Sequence, residues 1–412
     1  MKKLLLILIL TAIISACLFS QSVTVQGREI WVNNMKYTIR GVCYNPVAKG
    51  NSRYNPLDFS HIDQDIALMT QAKINTIRTY VPIMSVAVLD KLAAAGIRVI
   101  IGFPNYDDTF QYPDINHKTY VNYINTYKNH AAILMWELGN EYNYHPEWFN
   151  NNINNWYTIL NTTAADIHSL DPNHPVSTAH GEVPTAAVLN FCPNVDVWGM
   201  NVYRWDNPSG AINDFAARST KPCYLSEAGG DRYNTTTGSE DQQSQANANL
   251  SIWNNIKGSL DLCSGVTYFA FVDEWWKSGN NSTHDVTGFS MSIPYDNYAS
   301  EEWWGIVDID RNITLAYTAL KNAFTEFTAG NNDINLLAKY RIYPNPVGDN
   351  LQFAAMGEGS YRVQIRKSTG ENIYDKEILS KEPINLSALS SGVYFIVIEN
   401  PQGQVRQKFI KK

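Results

Sequence analysis

Apolar runs recur at residues 37–44, 75–81, 97–104, 133–141, 175–181, 195–203, 222–228 and 265–274. Between them the apolar positions change to helical spacing. Ile62, Ile66 and Met69 share one helix face, and Ile153, Trp156, Tyr157 and Leu160 form an i, i+3, i+4, i+7 stripe. Eight strand–helix units over about 290 residues match the count and size of a (β/α)8 TIM barrel, an α/β fold. An open, doubly wound sheet is the competing architecture. It usually carries a Gly-rich phosphate turn after its first strand, and GVCYNPVAKG at residues 41–50 is not one. The alternating segment 22–37 reads as a hairpin that caps the bottom of the barrel.

Both ends of the chain differ from this repeat. At the head, Lys2-Lys3, an apolar run at 4–14 and small residues at Ser15-Ala16 read as a secretory signal over residues 1–21. That run is too short to cross a bilayer as a helix, which takes about 20 residues, and no later run is long enough. Ile14-Ser15-Ala16-Cys17 also resembles a bacterial lipobox, in which Cys17 would carry lipid. Cleavage after Ala16 or Gln21 is the preferred reading. The barrel is placed at 22–329, and the polar break from Gly330 through Asp333 opens a linker at 330–339. From 340 to 412, period-2 alternation between Asn, Gly and Pro turns predicts a small antiparallel β-sandwich.

Composition narrows the function. Of 412 residues 17% are charged, below the roughly 25% of an average soluble domain, while 12% are aromatic, with 11 Trp and 24 Tyr. That excludes disordered, collagen-like and coiled-coil classes. The net charge is −7, and −9 once Lys2 and Lys3 leave with the signal. This argues against a nucleic-acid partner, which needs a basic face. Cys43, Cys192, Cys223 and Cys263 remain after the signal, enough for two disulfides. Three of them lie in apolar runs, where burial as small hydrophobes is an equal reading. No C-x-x-C or H-E-x-x-H spacing exists, so neither a metal nor another cofactor is expected.

In a barrel of this kind the reactive groups sit where strands end and loops begin. Strand four ends WELGNEYN, placing Asn140 and Glu141 at the rim, and strand seven ends YLSEAGG, placing Glu227 there. Their tips face one another across the mouth. Two carboxylates about 5 Å apart suit retaining glycoside hydrolysis, in which one donates a proton and the other attacks the anomeric carbon. Glu137, deeper on strand four, is the rival acid and lacks the preceding Asn.

Asn140-Glu141 on strand four with Glu227 on strand seven resembles the clan A retaining glycosidases, over roughly residues 28–328. VDVWGMNVYRWD at 195–206 with YLSEAGG is similar to the family 72 glucanosyltransferases. The hairpin entering YTIRGVCY is similar to the family 2 β-glycosidases. The resemblance implies Glu141 as acid/base, Glu227 as nucleophile and Asn140 on the sugar 2-hydroxyl. It also implies Tyr203 hydrogen-bonded to the nucleophile and Arg78 holding the nucleophile ionised. The clan often ends strand eight with a Trp under the sugar; here Phe269, Phe271 or Trp275 would replace it. YPNP at 343–346, LSSGVYFI at 389–396 and a Lys-terminated last strand resemble the sorting domain of the type IX secretion system. That implies export through this outer-membrane machinery to the cell surface or beyond.

Further substrate contacts are expected from His180 at the end of strand five and from Glu274 and Asp273 at the end of strand eight. Trp148, Trp205, Trp275, Trp276, Trp303 and Trp304, all in loops of the presumed catalytic face, are candidate sugar platforms. The insertion at 277–310 is long for a connection and shapes the cleft. The expected activity is hydrolysis of a β-linked glucan or related β-glycan. Transglycosylation by the same residues and a non-catalytic glycan-binding protein are the alternatives.

Overall fold

The computed structural model describes residues 22–412 except 34, 292–294, 340, 355–358, 368–370, 380–381 and 401–402. The expected signal, with Cys17, lies outside the described residues. The eight apolar runs form eight strands: β1 (Ile39–Cys43), β2 (Thr76–Thr79), β3 (Arg98–Phe103), β4 (Ile133–Asn140), β5 (Val176–Gly181), β6 (Val197–Asn201), β7 (Cys223–Ala228) and β8 (Gly265–Tyr268). All pair in parallel and close into a barrel, with β8 between β7 and β1. Continuous apolar runs are what such strands need, because the barrel interior covers one face and helices the other. The helix Ile153–Leu170 buries Trp156, Tyr157, Leu160 and Ile167, the face its stripe marks.

The last run departs from its expected length. β8 ends at Tyr268, and residues 269–274 leave the barrel as loop. Residues 269–272 are apolar because the chain at 303–307 covers them. The amide of Ala270 donates to the Trp304 carbonyl at 3.1 Å and that of Asp273 to the Val307 carbonyl at 3.2 Å. At the other end of the barrel the expected hairpin is a three-stranded meander, Val23–Gln26, Glu29–Val32 and Met35–Tyr37. Val23, Ile30 and Val32 seal the floor against Ile39, Ile100, Leu134, Val197 and Tyr224. Cys43, Cys192, Cys223 and Cys263 are all buried free thiols.

The chain divides into two compact units, Met1–Lys321 and Asn322–Lys412. Residues 330–339, expected as a linker, continue the helix Leu315–Lys339. A polar composition without proline costs a helix only fractions of a kcal/mol per residue and does not end it. The tail then forms β9 (Arg341–Tyr343), β10 (Asn350–Ala354), β11 (Ser360–Lys367), β12 (Asn372–Leu379), β13 (Ile384–Asn385), β14 (Gly392–Asn400) and β15 (Gly403–Lys411). They make two antiparallel sheets, β9-β10-β13 and β12-β11-β14-β15. Val347, Leu351, Val363, Ile365, Ile396 and Phe409 form the core of this unit.

The top of β4 positions the chemistry. Its register against β5 shifts between Glu137 and Asn140. Gly139 takes φ +69° and Glu141 φ +55°, both in the left-handed region. A bulge of this kind lets neighbouring residues turn toward one site instead of alternating across the strand. A Cβ on Gly139 would lie 2.7 Å from the rings of Trp156 and Tyr142. Gly139→Ala is therefore expected to lower stability by about 2–4 kcal/mol, from left-handed strain plus the clash. Chemical denaturation measures this, and a variant as stable as the parent would contradict the assigned role of the bulge.

Candidate active site

Arg78 closes β2 and Tyr80 follows two residues later, so period-2 alternation sends both into the barrel mouth. The Arg78 guanidinium, 1% exposed, binds three groups at once. Its Nε donates to Glu137, its Nη1 to Glu227 Oε1 at 2.9 Å and its Nη2 to Asn140 Oδ1 at 2.8 Å. Tyr80 donates to the same Oε1 of Glu227 at 2.8 Å, and Tyr203 to its Oε2 at 2.8 Å. Both oxygens of Glu227 thus face only donors, the pattern of a carboxylate.

Glu141 stands in the opposite environment. Burial first, and the Glu227 charge second, push its carboxyl up to about 7. A hydrogen bond from Asn201 and the charges of Arg78 and Lys277 pull the other way. Asn201 also donates to Asn140 Oδ1 at 3.1 Å, so Asn140 is held from two sides. One carboxyl that keeps its proton near neutral pH, beside one surrounded by donors, is the division of labour that glycosyl transfer needs. Glu137 has a different place. It is 1% exposed and is bound by Arg78, Ser177 and Tyr224, inside the barrel rather than at the rim.

The residues expected from β8 separate. Asp273 is taken by a two-point pair with Arg232 and by the Gly305 amide. Glu274 is 4% exposed and lines the cleft. Neither of its oxygens has a hydrogen-bond partner among the described residues. Lys277 Nζ lies 3.7 Å from it, and burial pushes its carboxyl up to about 8 despite that charge. Phe269 is buried beside Tyr203, with the rings 6.4 Å apart and Lys277 Nζ 4.1 Å from its centroid, and it does not line the cleft. Phe271 packs on Tyr44 instead.

His180 is buried with both ring nitrogens engaged, one by Tyr157 at 3.2 Å and the other by the Glu182 carbonyl at 3.0 Å. Of the loop tryptophans, only Trp148 and Trp276 line the cleft among the described residues. Trp205 packs on Tyr295 and Gly230. Trp275 and Trp303 sandwich His284, and Trp304 is buried against Tyr203 and Phe269. Tyr80, Asn201 and Lys277 were not singled out from the sequence. The first two carried a signal: each sits two residues from a chosen one, Arg78 or Tyr203, on the same strand face.

Comparison with known proteins bears on this geometry. The family model described as glycosyl hydrolases family 2, TIM barrel domain, matches residues 23–249. A second, the secretion system C-terminal sorting domain, matches residues 341–412, and the tail is such a domain. No curated protein sequence matches the chain. Among solved structures, a family 2 β-galacturonidase from Eisenbergiella tayi bound to galacturonate is 22% identical, with a TM-score of 0.52, over 74% of this chain and 54% of that one. A Faecalibacterium prausnitzii β-glucuronidase is 20% identical, TM-score 0.52, over 74% and 52%. A Bacteroides uniformis β-glucuronidase is 15% identical, TM-score 0.54, over 95% and 48%. The chain therefore spans about half the length of these structures, and the likeness is one of fold. The barrel match covers more than half of the sequence, and the chain belongs to the TIM-barrel domain family of the family 2 glycosyl hydrolases.

Proposed function

We propose that this chain is a retaining β-glycosidase working by double displacement. The observation that carries the reading is the contrast between Glu227, surrounded by three donors, and Glu141, which burial keeps protonated toward neutral pH. Glu227 attacks the anomeric carbon as the bond to the leaving oxygen breaks, and Glu141 gives that oxygen its proton. Glu141 then takes a proton from water, whose oxygen attacks the same carbon and frees Glu227. Asn140, fixed by Arg78 and Asn201, is placed for the sugar 2-hydroxyl. Transfer to a second sugar instead of water uses the same groups. Export through the type IX secretion machinery is the corresponding proposal for the tail.

For the sugar, a β-linked uronide is the first reading. Lys277 supplies a cation at the cleft, and the solved neighbours are named for galacturonate and glucuronide chemistry. A neutral β-glucan is the second reading, favoured by Glu274. Its unpartnered oxygens suit sugar hydroxyls, and the Glu301 carboxyl, 3.5 Å from Lys277 Nζ, pairs with the Lys277 charge.

Glu227→Gln is expected to lower kcat by about 10³-fold or more on any substrate the enzyme turns over. Glu141→Gln should cost about 10²–10⁴-fold on alkyl and sugar leaving groups, and much less on dinitrophenyl glycosides that need no proton. Since Glu141 must be protonated to act, kcat/KM of the parent should fall as pH rises through about 7. That limb should vanish in Glu141→Gln with dinitrophenyl substrates. Retained activity in both variants would refute the assignment. The sugar is settled by aryl β-glucuronide and β-galacturonide against aryl β-glucoside. Under the uronide reading Lys277→Met lowers the uronide-to-glucoside ratio of kcat/KM about tenfold or more. An unchanged ratio, or preference for the glucoside in the parent, favours the glucan.

A further inference from the structure

The cleft is larger than the chemistry at Glu141 and Glu227 requires. It encloses about 900 Å³, near the top of the roughly 300–1,000 Å³ that hold one drug-sized ligand. From Glu274 and Lys277 it runs past Arg78 and Asn140 and continues between the loops after β1, β3 and β4. Its outer walls carry Tyr54, Tyr106 and Trp148, which are 52%, 51% and 58% exposed. Exposed apolar rings gathered along one concave cleft, unlike scattered ones, mark a binding surface.

Two of these rings are braced from behind. The His145 ring stacks on Trp148 at 3.8 Å between centroids and 8° between planes, and Glu147 holds His145 Nδ1 at 2.8 Å. Tyr106 rests on His117 at 5.0 Å, and buried Asp114 fixes His117 Nδ1 at 2.7 Å. Phe110, 73% exposed on the same loop, leans on the same imidazole. Rings immobilised in this way lose little entropy when a flat ligand settles on them. Polar groups lie between them, among them Arg53, Asn55 and Asp108. Alternating rigid rings and hydrogen-bonding side chains fit pyranose rings, which offer apolar C–H faces and a rim of hydroxyls.

The direction of this arm follows from what borders it. Neither Glu141 nor Glu227 lines it; its inner wall holds Arg78 and Tyr80, which bind Glu227, and Asn140, proposed for the 2-hydroxyl. These three residues serve the sugar whose anomeric carbon Glu227 attacks, so the arm extends from the glycone position.

We infer that the braced aromatic arm binds further sugars of a β-linked oligosaccharide on the non-reducing side of the scissile bond, so that the enzyme cuts within chains. The inference rests on Glu141 and Glu227 as the catalytic pair. A sugar released singly from a chain end would leave the arm empty and gain nothing from it.

The test measures kcat/KM against length, using β-1,4-glucuronan oligomers and β-1,3- and β-1,4-gluco-oligosaccharides of two to six sugars, with sizing of early products. The expected result is a rise of at least about tenfold between two and five sugars, with oligosaccharides as the first products. Trp148→Ala and Tyr106→Ala should each reduce that length advantage about tenfold; both sites are exposed, and thermal unfolding confirms that the variants fold. A rate independent of length, monosaccharide as the only early product, or variants with the full length advantage would each overturn the arm. Aryl monoglycosides separate the two levels. If they are cleaved while no oligosaccharide is, the arm fails and the double displacement stands. If neither class is cleaved, both fall.

Discussion

One buried guanidinium organises the mouth of this barrel. Arg78 spans β2, β4 and β7 by holding Glu137, Asn140 and Glu227 in its fork. A planar five-donor group can do this, whereas an ammonium offers no fixed geometry. Two carboxylates this deep would repel each other and lack hydration, and Arg78 offsets both problems. Glu137 serves the arrangement from below: bound by Tyr224 and Ser177, it holds Nε in place and so aims the two outer nitrogens at the site. The position of Glu227 is thus a consequence of the barrel's closure, not of a single strand.

The acid is set by a different device. The irregular top of β4 turns Asn140 and Glu141, adjacent in sequence, toward the same space. Asn140 joins the Arg78 network, whereas burial and the Glu227 charge raise the Glu141 carboxyl against the pull of Arg78 and Lys277. The left-handed conformation is strained at Glu141 but not at Gly139, which lacks a Cβ and lets Trp156 and Tyr142 pack against the bulge.

The barrel was legible in the sequence because it depends on local rules, and the proposed catalytic pair was chosen by the same rules. Continuous apolar runs of strand length, separated by helical spacing, admit few architectures, and acids at strand ends admit few uses. Arg78 and Tyr203 could be chosen only through family resemblance, since their partners lie on other strands. Tyr80 and Asn201 were within reach, one alternation from chosen residues. For the tryptophans, sequence did not separate Trp148 and Trp276, which line the cleft, from the other four. A loop position says nothing of what it packs on, and Trp303 and Trp304 belong to the segment that itself covers Phe269 and Asp273. The helix through 330–339 was missed for a related reason, because polar residues weaken a helix without ending it. Lys277 and Glu274 lie beyond the span of the barrel family match, in a loop whose path is set by tertiary contacts.

The central claim is that a glycosyl–enzyme intermediate forms on Glu227. An activated 2-deoxy-2-fluoro-β-glycoside of the preferred sugar slows breakdown of that intermediate enough for mass spectrometry. The account predicts one added glycosyl mass on the intact protein, located by proteolysis in the peptide that contains Glu227. A label on Glu137, Glu141 or Glu274, or an inverted product anomer with no adduct from an enzyme in full turnover, would contradict it.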